Sequence, residues 1–301
     1  MRSALFASQL VFERTGPMKR LNSLCVAAYL LLTSNLYSSI IYVDAAVATS
    51  GDGTSWAKAK KTINDALMAS SDGDAVWVAK GTYQEQLVIS KNVFLYGGFV
   101  KTESSPEDRN LKINKSILDL SAFAKGVGVD LENLSNISID GFKITGSVDR
   151  GGIYIYNCDS VRISNMDFIS NTFYGVYADY STCSIEKCFF QDNFQGLSAW
   201  VGSINVADCS FIANYHPFGF GGIVSVLTNC KFYQNTSPMY IADAQTSINN
   251  CEFVQNDNIE GADHYTSGGG AILFSVSVGS TSITKTKFIC KYSLSRWSNI
   301  S

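Results

Sequence analysis

From about residue 139 onward, apolar and polar positions alternate in short runs, and the same arrangement returns every 21 or 22 residues. Each unit opens on an apolar residue: Ile163, Ile185, Val206, Leu227 and Ile248. Three positions on stand Met166, Cys188, Cys209, Cys230 and Cys251, and five positions on stand Phe168, Phe190, Phe211, Phe232 and Phe253. Eight positions on come Asn171, Asn193, Asn214, Asn235 and Asn256. After each Asn a further strand begins with alternate apolar residues, Leu197/Ala199, Phe218/Phe220 and Met239/Ile241, just past Gly196, Pro217 or Pro238. Alternation of period two excludes a helix pair, and a unit this short holds two or three strands and their turns.

Such a unit is one coil of a solenoid. Parallel coils stack at roughly 4.8 Å, so equivalent inward residues form ladders, Phe on Phe and Cys on Cys. Repeated turn Asn side chains are expected to hydrogen-bond the coils above and below, and Asn also tolerates the left-handed backbone of a sharp turn. The hexapeptide pattern of a left-handed β-helix is absent. The expected fold is an all-β, right-handed parallel β-helix.

Ahead of the regular coils (134–301) lies a less regular stretch, 40–133, with strands expected at 40–43, 75–79, 86–89, 93–96, 116–120 and 127–131. A helix over 57–70 carries one apolar stripe, Ile63, Ala66 and Leu67, and is expected to cover the open N-terminal end of the stack. Residues 101–115 are polar and predict a long loop. The spacing stretches to 35 between Ile248 and Ile283, which predicts a projecting loop near 257–268. The last coil begins with Ile283, Thr286 and Phe288 but has Lys291 where Asn is due, so the C-terminal end is expected to be incomplete.

Charged residues are 16% of the chain, the net charge is −3, and no Lys/Arg-rich run occurs, which excludes a phosphate-tracking surface for nucleic acid. Residues 1–39 read as a targeting segment: Met18-Lys19-Arg20, an apolar run at 24–32, and a cleavage site near Ser38 or Ser39. The run is too short and too interrupted to span a bilayer, so no transmembrane span is expected in the mature chain. A secreted or cell-surface location follows. Seven cysteines remain after that segment; Cys188, Cys209, Cys230 and Cys251 recur at intervals of 21, which favours core thiols over disulfides or a soft-metal site.

The FxxN repeats, together with Gly269-Gly270-Ala271-Ile272, resemble the FxxN and GGA(I/L/V) repeats of polymorphic outer membrane proteins. The stretch from Tyr42-Val43-Asp44 through Gly51-Asp52-Gly53-Thr54-Ser55-Trp56 to Tyr96-Gly97-Gly98 is similar to the head of many bacterial surface β-helix proteins. This resemblance covers roughly residues 40–290 and implies a pectin-lyase-like fold at the bacterial envelope or exterior. It implies no single activity, because that fold carries lyases, hydrolases, adhesins and passive stalks.

The best candidate chemistry is an outward aromatic column on the strand after each Asn turn: Tyr154, Tyr156, Tyr177, Asp179, Trp200 and Tyr240, with Tyr180 and Asp243 beside it. Stacked rings beside carboxylates can take sugar rings; plain strand packing or a protein partner would use the same residues. No catalytic set assembles. Asp149, Arg150 and Asp159 fall in turns, Lys231, Glu252 and Lys287 suggest a surface ion-pair ladder, and His216 and His264 suggest solvated loops. The oxygen-rich run at 256–263 lacks the closing acid of a calcium loop. Neither metal nor cofactor is expected. The function these features favour is a non-enzymatic surface protein contacting a polysaccharide or a host-cell partner; the alternative is a polysaccharide lyase or glycoside hydrolase.

Overall fold

The structure is a computed structural model that describes residues 38–242, 244–256, 271–274 and 280–289. The targeting segment before Ser38, and with it Cys25, lies outside the described residues, as do Asp243, the 257–268 insertion with His264, Gly269-Gly270, Cys290 and Lys291.

Among the described residues every strand pairing is parallel, in a 15-stranded and a 9-stranded sheet. Strand Tyr174–Glu186 pairs with Gln195–Ala207, which pairs with His216–Thr228. These strands bend midway, at Tyr180 (φ 49°), Val201 (φ 48°) and Gly222 (φ 65°). Each coil therefore presents two faces of the larger sheet, one on either side of this corner. A three-residue strand of the smaller sheet, such as Phe189–Gln191 or Ser210–Ile212, forms the third side.

Residues one circuit apart lie on top of each other, as the period demands. Phe190 and Phe211 stack at 4.6 Å between ring centroids, Phe211 and Phe232 at 4.9 Å, Phe232 and Phe253 at 4.5 Å. The glycine before Leu197 makes room for this column: a Cβ on Gly196 would sit 2.5 Å from the Pro217 carbonyl and 2.9 Å from Phe211 Cδ1. The Cys188 backbone N–H points at Cys209 Sγ, 3.4 Å away, and all six described cysteines are buried and free. Their thiols donate to core carbonyls, Cys209 to Ile185 and Cys230 to Val206.

The Asn ladder runs from Asn171 to Asn256. From Asn171 to Asn235 each Nδ2 donates to the Oδ1 of the Asn one coil on, at 2.9 to 3.1 Å, and all five donate to a carbonyl of the preceding coil. The left-handed backbone falls elsewhere than expected. It belongs to the residue before each Asn (Ser170, Asp192, Ala213, Gln234 and Gln255), while the Asn side chain turns inward. Asparagine is required here for its buried amide, which is both donor and acceptor, rather than for its backbone tolerance.

The N-terminal helix is shorter than the apolar stripe suggested. It spans Ile63–Ala69, with the Thr62 side chain accepting from the Asp65 N–H. Trp56–Lys58 is a separate turn of 3-10 helix, and Lys60 bridges Val43 in parallel. The backbone of 53–60 is used to cover the outer edge of strand Ile40–Val43, with Gly53 accepting from Tyr42 and Lys60 bonding to Tyr42 and Asp44. Edge satisfaction overrides helix propensity in that segment. Ile63, Ala66 and Leu67 then enter the main core. Strand Gly81–Tyr83 was not anticipated, and the strands at 86–89 and 93–96 become Leu87–Ile89 and Phe94–Phe99.

The 101–115 loop holds a 3-10 turn, Pro106–Asp108, closed by a Ser105/Asp108 capping box. Its Arg109 is buried on the second face of the larger sheet, 2.6 Å from Asp140, with side chains only 5% and 7% exposed. Asp140 also accepts from Ser164 and Asn165, each at 2.6 Å, and Arg109 donates to the Gly97 carbonyl. The loop is thus pinned down by a fully partnered ion pair.

Candidate functional site

The aromatic residues all occupy the first face, on strand halves before the corner, but they form two adjacent columns rather than one. Register sets Asp130, Tyr154, Tyr177, Ser198, Gly219 and Tyr240 in one column. The second holds Glu132, Tyr156, Asp179, Trp200 and Gly221. Buried residues such as Ile153, Ile155, Val176 and Ala178 alternate with them and hold these strands against the core. Tyr240 lies in the first column but is separated from Tyr177 by Ser198 and Gly219, so it stands apart from the other rings.

Tyr154 and Tyr177 stack nearly parallel, 5.3 Å between centroids at 3°. Tyr156 meets Tyr180 edge-on at 5.9 Å, the latter projecting from the corner. Trp200 is 38% exposed; its indole N–H donates to Ser198 Oγ at 3.0 Å, and its six-membered ring lies over Gly221. Gly221 puts no side chain beneath the indole, so one ring face of this platform lies against backbone, while the Gln195 amide covers Gly219.

Three charged groups that sequence reasoning left out or placed elsewhere belong here. Asp130 and Glu132 extend the two columns one coil further, on strand Val127–Glu132. Arg150, expected merely in a turn, sits with its guanidinium 5.0 Å from the centre of the Tyr154 ring. The signal for Asp130 was weak but present: it alternates with buried Val129 and Leu131, 24 residues before Tyr154, a slightly longer interval than in the later coils. Asp149 binds the Gly126 N–H, and Asp159 stands in the next turn, away from this group.

Burial raises the Asp130 carboxyl above the ordinary carboxylate range; Glu132 adds to this and Arg150 opposes it. Its Oδ1 is buried without a hydrogen-bond partner. Burial likewise raises Asp179, against the pull of the Tyr180 N–H and the Tyr177 hydroxyl. The Tyr177 phenol is pushed up to about 12, by burial first and then by Asp179. The face therefore offers phenols that keep their protons and carboxyls that gain them readily, with flat apolar rings between. Such groups can donate to and accept from sugar hydroxyls while the rings cover a sugar's apolar side.

A second aromatic ladder flanks this face and was missed. Phe173, Phe194 and Tyr215 stack at 5.9 and 5.1 Å in the turn before the strand, and Tyr174 links them to Tyr177 at 5.0 Å. His216 is not a loop residue: it opens strand His216–Thr228 and lies edge-on to Phe194 and Tyr215. A ring one or two places after three successive Asn residues, Asn171, Asn193 and Asn214, was the available cue. Elsewhere, Lys231, Glu252 and Lys287 do stand in register, but no ion pair forms between them, because exposed side chains on successive coils are free to diverge into water. Among the described residues no group of three or more His, Cys, Asp or Glu is placed to hold a metal ion, and no helix is long and apolar enough to cross a membrane.

Comparison with known proteins bears on the fold. The pectin methylesterase of Aspergillus niger in its deglycosylated form is similar with a TM-score of 0.50 at 17% identity, over 85% of this chain and 91% of that one. The alginate lyase of a Paenibacillus is similar with a TM-score of 0.50 at 11% identity, over 84% of this chain and 98% of that one. No curated protein matches the sequence. At such identities the likeness is one of architecture alone. Residues 126–278, where the stacked coils and both columns lie, match the profile of the right handed beta helix region. The chain belongs to that family.

Proposed function

We propose that this protein is a glycan-binding β-helix acting outside the cell, without turnover, and that a polysaccharide lies across the first face between Asp130 and Trp200. The observation that carries this is Trp200: its ring is held against Gly221 and by Ser198, so it meets a ligand already immobilised. A preorganised aromatic surface loses little side-chain freedom on binding. Carboxyls and phenols within the same two columns supply the polar contacts. The test is titration calorimetry with a panel of neutral and acidic polysaccharides. Binding to at least one, weakened about tenfold or more by Trp200→Ala with an unchanged melting temperature, supports the proposal. No binding across the panel, or binding indifferent to Trp200, rejects it.

One observation favours a second function. Asp130 combines a raised carboxyl pKa with a buried, unpartnered oxygen and a neighbouring Glu132 on the same strand face, which are the attributes of a general acid in sugar-chain hydrolysis. Release of reducing ends from the panel, abolished in Asp130→Asn, would replace the first proposal with this one.

A further inference from the structure

Beyond the corner, on the second face, the pinned 101–115 loop stands over two connected grooves. The larger, about 710 Å³, is lined by Phe94, Tyr96, Asn136, Ser138, Ser160 and Arg162 among others. The smaller, about 570 Å³, lies between Lys112 and Lys115 of the loop and Asn165, Asp167 and Lys187 of the coils. Arg109, Leu111 and Asn165 line both, so the two form one continuous cleft.

The charge of the smaller groove runs against that of the molecule, while the larger groove adds Arg162, paired with Glu186, and the acids Asp140 and Glu107. The chain carries −3 overall, yet the smaller groove is bordered by Arg109, Lys112, Lys115 and Lys187 against a single acid, Asp167. Two of these cations are neutralised locally, Arg109 by Asp140 and Lys115 by Asp167 at 2.5 Å. Lys112 and Lys187 form no ion pair, although one comes from the loop and the other from the turn after strand Tyr174–Glu186. Two like charges facing one groove repel, and an anion between them turns that repulsion into attraction.

We infer that this cleft is a binding site for an acidic polysaccharide, separate from the aromatic face. Lys112 and Lys187 hold its carboxylate or sulfate groups, and the hydroxyl and amide side chains of Asn136, Ser138 and Ser160 meet its hydroxyls in the larger groove. A sugar polymer suits the cleft better than nucleic acid does. Only two cations are uncompensated, too few for a phosphate backbone, and the rest of the acidic chain offers no basic stripe to continue the track.

The inference does not depend on Trp200, and its test separates the two faces. Polygalacturonate, dextran and double-stranded DNA are titrated into wild type, Lys112→Glu/Lys187→Glu, Lys112→Gln/Lys187→Gln and Trp200→Ala. Both lysines are exposed, so the fold is expected to survive, as thermal melting will verify. Wild type should bind polygalacturonate more tightly than dextran and lose that preference as salt rises. Charge reversal should weaken polygalacturonate about tenfold or more and flatten the salt dependence, the Gln pair should give an intermediate loss, and Trp200→Ala should keep the full salt dependence. Polygalacturonate binding that ignores the lysines, or that vanishes in Trp200→Ala alone, overturns the inference. So does DNA binding of equal strength with the same lysine dependence, which would assign the cleft to nucleic acid.

Discussion

Trp200 and Gly221 are register partners on adjacent strands, and a Cβ on Gly221 would come within 2.6 Å of Trp200 Cζ3. The platform thus depends on a missing methyl group one coil away. Gly221→Ala should tilt the indole off the sheet and break its bond to Ser198, with little cost to the buried core beneath. The expected outcome is glycan affinity lowered as far as in Trp200→Ala, read by calorimetry, and a blue or red shift of Trp200 fluorescence against a Trp200-lacking control.

The Asn214 side chain makes four hydrogen bonds with the two neighbouring coils while fully buried. Asn214→Ala leaves the Asn193 backbone N–H and amide facing a void. Each buried group stranded in this way costs about 1–3 kcal/mol, so a loss of about 2–4 kcal/mol is expected by urea denaturation. Asn214→Asp should also destabilise, since it restores the acceptor but not the donor.

Several buried thiols and phenols tie stability to alkaline pH, Cys183, Cys230 and Tyr177 among them. The Cys183 thiol is pushed up from 9.0 to about 12 by burial, the Cys230 thiol to about 12 by its bond with Cys209 and then burial, and the Tyr177 phenol from 10.0 to about 12. In each case the unfolded chain ionises first. Their stabilising contribution is whole below about pH 9 and is lost as pH climbs towards 12. Urea midpoints should therefore hold steady from about pH 7 to pH 8.5 and fall steeply above, and Cys183→Ala should make that fall shallower.

Asp140 is the counterion of a nearly dry guanidinium. Asp140→Asn leaves Arg109 charged and buried without a counterion, held by the Gly97 and Pro106 carbonyls and by the Tyr96 and Phe99 rings at 5.2 and 5.1 Å. Breaking such a pair costs about 3–5 kcal/mol. A lowered melting temperature with new proteolytic cleavage inside 101–115 is expected; a variant as protease-resistant as wild type would contradict the pinning role.

Asp130 offers the opposite outcome. A carboxylate with a raised pKa and an unpartnered oxygen strains the fold at neutral pH, because the folded state disfavours the charge that the unfolded state accepts. Asp130→Asn should leave the melting temperature unchanged or raise it while weakening glycan binding. A lowered melting temperature would mark Asp130 as structural.

Architecture was legible because repetition multiplies a weak signal. One Phe-x-x-Asn says little, but five in register place Phe190 on Phe211 and Asn193 on Asn214 before any coordinate is known. The aromatic face was legible for the same reason, through alternation with buried neighbours. What escaped was whatever the period does not encode. Arg150 and Arg109 reach their partners from turns and loops, whose direction depends on local bonds such as the Ser105/Asp108 box. Asp130 escaped because the repeat is faint in the first coils, and the helix start was misjudged because covering an edge outweighed an apolar stripe. The left-handed turn positions moved by one residue, since the burial of an amide decides them and composition does not display burial.

The column from Asn171 to Asn256 has a direction as well as a spacing. From Asn171 to Asn235 each side-chain amide gives one hydrogen to the Asn on its C-terminal side, its other hydrogen going to a carbonyl of the preceding coil, so the four amide-to-amide bonds all point the same way and their dipoles align. Aligned hydrogen bonds polarise one another, and a link with neighbours on both sides is stronger than a terminal one. Removing Asn193 or Asn214 should therefore cost more than removing Asn171. The protein behaves in this respect like a row of magnets laid end to end, most cohesive at its middle.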